Sequence, residues 1–279
     1  MKSLCFTCVC VLRAQYDLDC MTFSPDGRVF QVEYATKAVD NSGTAIGFVC
    51  ADGVVLAVEK LLHSKLLVPG TSRRVHAVDD HIGVAAAGLV TDARQIIKRA
   101  RQEANDWRST FNEPIPLKVL AERVAAFAQV YTLYSSYRPF GCSLLLASSV
   151  DAPVKDDAAS EMKDSQSTPA HKRKPVLYTV EPSGACTGVF AAAVGKGRQA
   201  AKTELEKLLP LPGNTLNCQR GLVEAAKILL TVHDETKDKL FEIEMSWISE
   251  ATGWKTEIVP DAIRDAAIAE AKRLIAAAQ

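Results

Sequence analysis

The hydrophobic period of this chain changes in blocks, and the order of the blocks limits the possible folds more than any single motif does. Strand-like runs come first. Thr44–Cys50 and Val54–Lys60 flank Ala51-Asp52-Gly53, and Arg74–Val78 and Ile82–Gly88 flank Asp79-Asp80-His81. Apolar runs joined through Asp-Gly read as hairpins, because such tight connections need residues that tolerate positive φ. From Thr91 to Phe111 the period becomes helical, with Ala93, Ile96, Ile97 and Ala100 on one face. Pro114 and Pro116 interrupt it, and a second helix is expected from Leu117 to Ser135. Tyr137-Arg138-Pro139-Phe140-Gly141 ends that helix and leads into a buried strand, Ser143–Val150. Strands resume at Val176–Val180 and Cys186–Val194, and helices follow at Gly195–Leu209 and Gln219–His233. Phe241, Ile243, Met245 and Trp247 then alternate with Glu242, Glu244 and Ser246, the pattern of a half-buried strand. Pro260 opens a last helix. Helices in pairs, not alternating singly with strands, favour an α+β fold of antiparallel sheets layered with helices.

Ahead of this body stands Tyr16 to Tyr34, Y-D-L-D-C-M-T-F-S-P-D-G-R-V-F-Q-V-E-Y. Ser24-Pro25-Asp26-Gly27 has type I turn chemistry, with Pro pre-setting φ at the second place and Gly at the last. A helix is expected from Arg28 to Asp40, with Val29, Val32, Thr36 and Val39 on one stripe and Phe30, Tyr34 and Ala38 on the next. Glu33 and Lys37 are spaced as a favourable i,i+4 pair. So broad an apolar face needs a partner beyond its own loop.

Composition removes several function classes. With 33 basic and 33 acidic residues the chain lacks the basic excess of a nucleic-acid binder. No apolar run reaches the roughly 18 residues of a membrane span. The eight cysteines are scattered apart from Cys5, Cys8 and Cys10, which suits reduced thiols of the cytosol or nucleus, not a disulfide framework. Residues 1–15 faintly resemble a signal peptide without its small-residue cleavage site, and their cysteines lack a second ligand cluster. They read as a disordered or misassigned start, which leaves 16–279 as the domain. Asp151–Pro175 is charged and aperiodic where a short turn would suffice, so it reads as a disordered insertion. Its His171-Lys172-Arg173-Lys174 quartet is too short to carry a function by itself. Gly195-Lys196-Gly197 lacks the full phosphate-loop spacing and reads as a strand-to-helix turn. The five histidines form no i,i+4 ligand pair, and no H-E-x-x-H, G-x-S-x-G or G-x-G-x-x-G is present. No metal and no cofactor is expected.

The run S-P-D-G-R-V-F-Q-V-E-Y-A, from Ser24 to Ala35, resembles the signature of proteasome α subunits, and it is long and specific. T-A-I-G at Thr44, D-G-V-V-L-A-V-E-K at Asp52, S-K-L-L-V-P at Ser64, R-P-F-G at Arg138, E-P-S-G at Glu181 and G-K-G-R-Q-A-A-K-T-E-L-E-K-L at Gly195 agree with it. The likeness runs from about Tyr16 to the C-terminus. The Y-D-L start, the S-K-L-L-V-P run and F-E-I-E-M-S-W narrow it to one of the seven eukaryotic kinds, that at ring position seven. The resemblance implies a four-layer αββα sandwich of the N-terminal-nucleophile hydrolase type. It also implies a place in the seven-membered α ring of the core particle, beside neighbouring α subunits and the β ring. The setting would be ubiquitin-dependent protein degradation in cytoplasm and nucleus.

In catalytic β relatives a Thr freed at the N-terminus is the nucleophile, with an Asp and a Lys tuning proton transfer. Aligned on Gly47, this chain has Gly43 at the place of that Thr, Glu59 at the Asp and Arg74 roughly at the Lys, and an Arg does not readily give up a proton. A non-catalytic subunit is expected; the alternative is a stand-alone amidase activated by cleavage before Thr44. From the family, gating roles carry over to Tyr16, Asp17, Pro25 and Tyr34, a cluster that stabilises the open pore. Where members often have Y-D-R this chain has Leu18, so Asp17 can accept from a neighbour but no arginine is offered in return. A pocket for the C-terminal tail of an activator, such as a regulatory particle, carries over to Arg74, with Gly88 and Leu89 lining it. A guanidinium can hold a terminal carboxylate through two parallel bonds.

Overall fold

The runs read as hairpins pair as hairpins. In the computed structural model, which describes residues 16–62, 64, 66–68, 70–151, 173–208, 216–233 and 241–278, β1 (Ala45–Val49) is antiparallel to β2 (Gly53–Leu61), with Ala45 opposite Val58. Likewise β3 (Val75–Asp79) meets β4 (Ile82–Gly88), with Val75 opposite Ala85 and a register shift between Ala77 and Asp79. Next come helices α2 (Val90–Phe111) and α3 (Leu117–Val130), preceded by α1 (Phe30–Asp40) at the start of the chain. Strands β5 (Cys142–Asp151), β6 (Arg173–Val180), β7 (Cys186–Val189) and β8 (Ala191–Val194) follow, then α4 (Arg198–Leu208) and α5 (Cys218–Val232). The chain closes through β9 (Phe241–Ser249), β10 (Thr256–Ile258) and α6 (Asp261–Ala278).

Two five-stranded antiparallel sheets result, ordered β10-β9-β2-β1-β8 and β3-β4-β5-β6-β7. Three apolar layers hold four layers of structure together. Val54, Leu56 and Val58 of β2 face Ala85, Ala87, Leu145 and Leu177 between the sheets. Ile46, Phe48, Val55 and Ala57 turn outward onto Leu205, Leu222, Ala225 and Leu229 of α4 and α5 and onto Ala267 and Ala271 of α6. On the other side Ile82, Val84, Leu144 and Leu146 meet Ile96, Ile97, Leu120 and Val124 of α2 and α3. Burying one such Leu, Ile or Val side chain contributes about 1.5–3 kcal/mol. The expected αββα sandwich is therefore the observed one, because central strands with both faces covered must be apolar on both.

The differences from the sequence reading have local causes. α3 stops at Val130, not Ser135: Tyr131, Thr132 and Leu133 close i→i+3 bonds, and the Tyr131 ring packs on Tyr137 and Phe140 at 5.2 and 4.4 Å. α1 begins at Phe30 and α5 at Cys218, within the usual uncertainty of helix ends. Cys186–Val194 is not one strand. At Phe190 the chain leaves one sheet for the other, β7 pairing with β6 and β8 with β1. β10 was not expected; it pairs with β9 and its Thr256 amide donates to the Asp80 carbonyl at 2.7 Å, tying one sheet to the hairpin turn of the other. Asp151 and Arg173–Pro175 belong to paired strands, which trims the segment read as an insertion at both edges. The remainder of that segment, and residues 1–15, lie outside the described residues.

Candidate functional site

The turn at Ser24 forms as its residues dictate. Gly27 N–H donates to the Ser24 carbonyl at 2.8 Å, and Ser24 Oγ accepts from the Arg28 amide at 3.0 Å. α1 then buries Phe30, Ala35 and Val39 and leaves Tyr34 45% exposed. It packs against strands β4 and β5, which cover Phe30, Ala35 and Val39, while Val29, Val32, Thr36 and Ala38 stay partly exposed. The Tyr34 hydroxyl donates to the Asp17 carboxylate at 3.0 Å, and Gln31 Nε2 donates to the Asp17 carbonyl. Two of the four expected gate residues are thus brought together. Tyr16 is half-buried and Pro25 is exposed on the turn. Leu18 is 83% exposed.

At the opposite end of α1 the three expected pocket residues meet. Arg74 Nη1 donates to the Gly88 carbonyl at 2.5 Å, while the Arg74 and Val75 amides donate to Glu244 Oε2 at 2.7 and 3.3 Å. Burial pulls the Arg74 guanidinium below its ordinary pKa, and the Glu244 carboxylate works against that. Gly88 has φ +108°, and a Cβ there would stand 2.2 Å from the Gly141 carbonyl oxygen, so only glycine fits. Leu89, 45% exposed, donates its amide to that same Gly141 carbonyl at 2.9 Å. The corner offers a fixed cation beside an exposed apolar side chain. That combination suits a peptide's terminal carboxylate preceded by an apolar residue.

The place of the absent nucleophile is closed. A Cβ on Gly43 would lie 2.2 Å from the Glu59 carbonyl oxygen. Thr44 is buried; its amide donates to Glu59 Oε2 at 3.0 Å and its Oγ1 accepts from the Gly197 amide at 3.1 Å. Glu59 Oε1 lies 2.6 Å from Nδ1 of His233, whose ring stacks on Phe241 at 3.8 Å. With Glu59 ionised, Nδ1 carries the proton. Lys60, almost fully buried, pairs with Glu242 at 3.1 Å and Glu244 at 3.6 Å. Sequence reasoning singled out Glu59 and missed His233, Gln31 and Glu244. Their partners lie between 14 and 174 positions away, and no local pattern announces them. Among the described residues no cluster of three or more His, Cys, Asp and Glu could hold a metal ion, and no helix is long and apolar enough to cross a membrane.

Comparison with known proteins assigns the chain to a family. Residues 39–153 and 169–248 match the family model for the proteasome subunit, and residues 16–38 match the N-terminal signature of the A-type proteasome subunit. The alpha type-3 proteasome subunit of Dictyostelium discoideum is 47% identical, covering 92% of this chain and 94% of that one. The proteins of the same name from Spinacia oleracea and Acanthamoeba castellanii are 49% and 50% identical, covering 88% and 93% of this chain and 89% and 94% of their own. The kind singled out by the Y-D-L, S-K-L-L-V-P and F-E-I-E-M-S-W runs is the kind these relatives are named for. The chain belongs to the proteasome subunit family, as one of the α-type subunits that form the non-catalytic ring of the core particle.

Proposed function

We propose that this subunit helps to gate access to the degradation chamber and contributes one docking pocket for activators in ubiquitin-dependent protein degradation, in cytoplasm and nucleus. Its partners are neighbouring α subunits on either side in the seven-membered ring, where it takes position seven, the β ring beneath, and the regulatory particle or other activators through their C-terminal tails. Neither nucleic acid nor a membrane has a part. The observation that carries this reading is the half-buried Arg74 guanidinium held against Gly88 beside the exposed Leu89. Burial strengthens its pull on an incoming carboxylate, since less water screens it. The gate function rests on Tyr16, Asp17, Pro25 and Tyr34. The Asp17 carboxylate has room for a neighbour's donor after taking the Tyr34 hydroxyl, because an ionised carboxylate accepts about four bonds. Leu18 returns none, so this subunit's share of the gate is asymmetric. Arg74→Ala is expected to lower activator-stimulated peptide hydrolysis while the assembled barrel and its unstimulated activity persist. Undiminished stimulation in an intact particle would count against the pocket.

A further inference from the structure

Between the pocket and the helix that carries Tyr34 lies the hydroxyl of Ser42. Ser42 Oγ donates to the Val39 carbonyl at 2.7 Å and accepts from the Gly88 amide at 2.8 Å. Val39 closes the last turn of α1, where carbonyls lack an intrahelical partner, and the Ser42 amide donates to the same oxygen at 2.9 Å. Gly88 is the residue whose carbonyl Arg74 holds. A continuous hydrogen-bonded path therefore runs from the Arg74 guanidinium through Gly88 and Ser42 to the end of α1, and along that helix to the Tyr34–Asp17 pair.

We infer that Ser42 is a positioning residue that couples occupation of the Arg74 pocket to the placement of α1. The inference rests on the reading above, in which Arg74 takes a tail carboxylate and α1 carries the gate. A carboxylate competes with the Gly88 carbonyl for the guanidinium, and it offers a full negative charge and two parallel bonds where the carbonyl offers a single neutral acceptor. Gly88, at a φ open to glycine alone, is the joint able to turn when its carbonyl is released. Its amide takes Ser42 Oγ with it, and Ser42 draws the last turn of α1. A helix moves as a stiff body, so the shift reaches Tyr34 and Asp17 at the other end. The backbone fastenings of Ser42, its amide donating to the Val39 carbonyl and its carbonyl accepting from the Lys196 amide at 3.0 Å, stay in place when the side chain is substituted.

The test uses the assembled particle carrying Ser42→Ala, Ser42→Thr or Arg74→Ala in this subunit. Two quantities are read: stimulation of peptide hydrolysis by the activator, and the yield of adduct on this subunit with a photo-crosslinking synthetic peptide of the activator's C-terminal tail. An amidated copy of the peptide, which lacks the carboxylate, serves as control. Ser42→Ala is expected to keep the adduct yield within about twofold while stimulation falls to the level of Arg74→Ala, as for a residue that transmits binding without making it. Ser42→Thr, which keeps the hydroxyl, restores stimulation. Full stimulation with Ser42→Ala, where Arg74→Ala still loses it, would overturn the relay and leave the pocket standing. Parallel loss of adduct and stimulation with Ser42→Ala would make Ser42 a mere part of the pocket wall and overturn the relay as well. If Arg74→Ala alters neither quantity, the pocket itself fails. Should Ser42→Ala not assemble, Ser42→Cys, with its poorer donor and acceptor, supports the same comparison.

Discussion

Asp92 sits at the start of α2, almost fully buried, and takes Arg138 Nη1 at 2.6 Å, Arg138 Nη2 at 2.8 Å and the Gly141 amide at 3.0 Å. The Arg138 guanidinium, helped by that amide and opposed by burial, holds its carboxyl below the ordinary carboxylate range. R-P-F-G is therefore a clamp: it fixes the approach to β5 and the Gly141 carbonyl that Gly88 and Leu89 crowd against. Arg138 is well exposed, so solvent tempers the pair. Asp92→Asn is expected to cost about 1–3 kcal/mol near neutral pH. Because the folded pKa is depressed, the contribution is complete above the unfolded carboxylate range and disappears as pH falls through the folded value. In denaturant titrations the gap between Asp92→Asn and the parent should be constant above about pH 5 and narrow below about pH 4. A gap independent of pH would show that the Asp92 charge has no part in it.

The corner joining β4 to α2 carries the proposed pocket and, through Ser42, its proposed link to α1. Gly88→Ala would place a methyl against the Gly141 carbonyl oxygen at a φ of +108°, and is expected to destabilise the protein by about 2–4 kcal/mol. Thermal unfolding checks this, and a midpoint unchanged from the parent would mean that the corner relaxes freely. At this scale the sequence was legible where a period or a turn residue carried the information. The Asp-Gly hairpin, the Ser-Pro-Asp-Gly turn and the amphipathic helices all appear where their residues place them. What stayed hidden was decided by partners distant in the chain. Cys186–Val194 is an unbroken strand-like run, and only the separate edges offered by β6 and β1 divide it at Phe190. α3 ends early because an aromatic cluster captures Tyr131. Ser42 lies between the expected helix and the expected strand, and its two bonds reach toward α1 on one side and β4 on the other.

For the whole molecule, the sandwich of a hydrolase has been kept and its reaction centre filled. At Gly43, where alignment on Gly47 puts the nucleophile of catalytic relatives, the Glu59 carbonyl occupies the space a side chain would need, and the Glu59 carboxylate spans Thr44 and His233. The segment ahead of Thr44, which a catalytic relative sheds, holds the Tyr34–Asp17 pair and the Ser42 bridge in this chain. The non-catalytic subunit and the proposed gate thus call for the same thing, an uncut Gly43–Thr44 bond. N-terminal sequencing of this subunit, taken from the assembled particle, tests that requirement most directly. The account predicts a chain in which Tyr16 to Tyr34 is still attached; a mature chain that begins at Thr44 would contradict it.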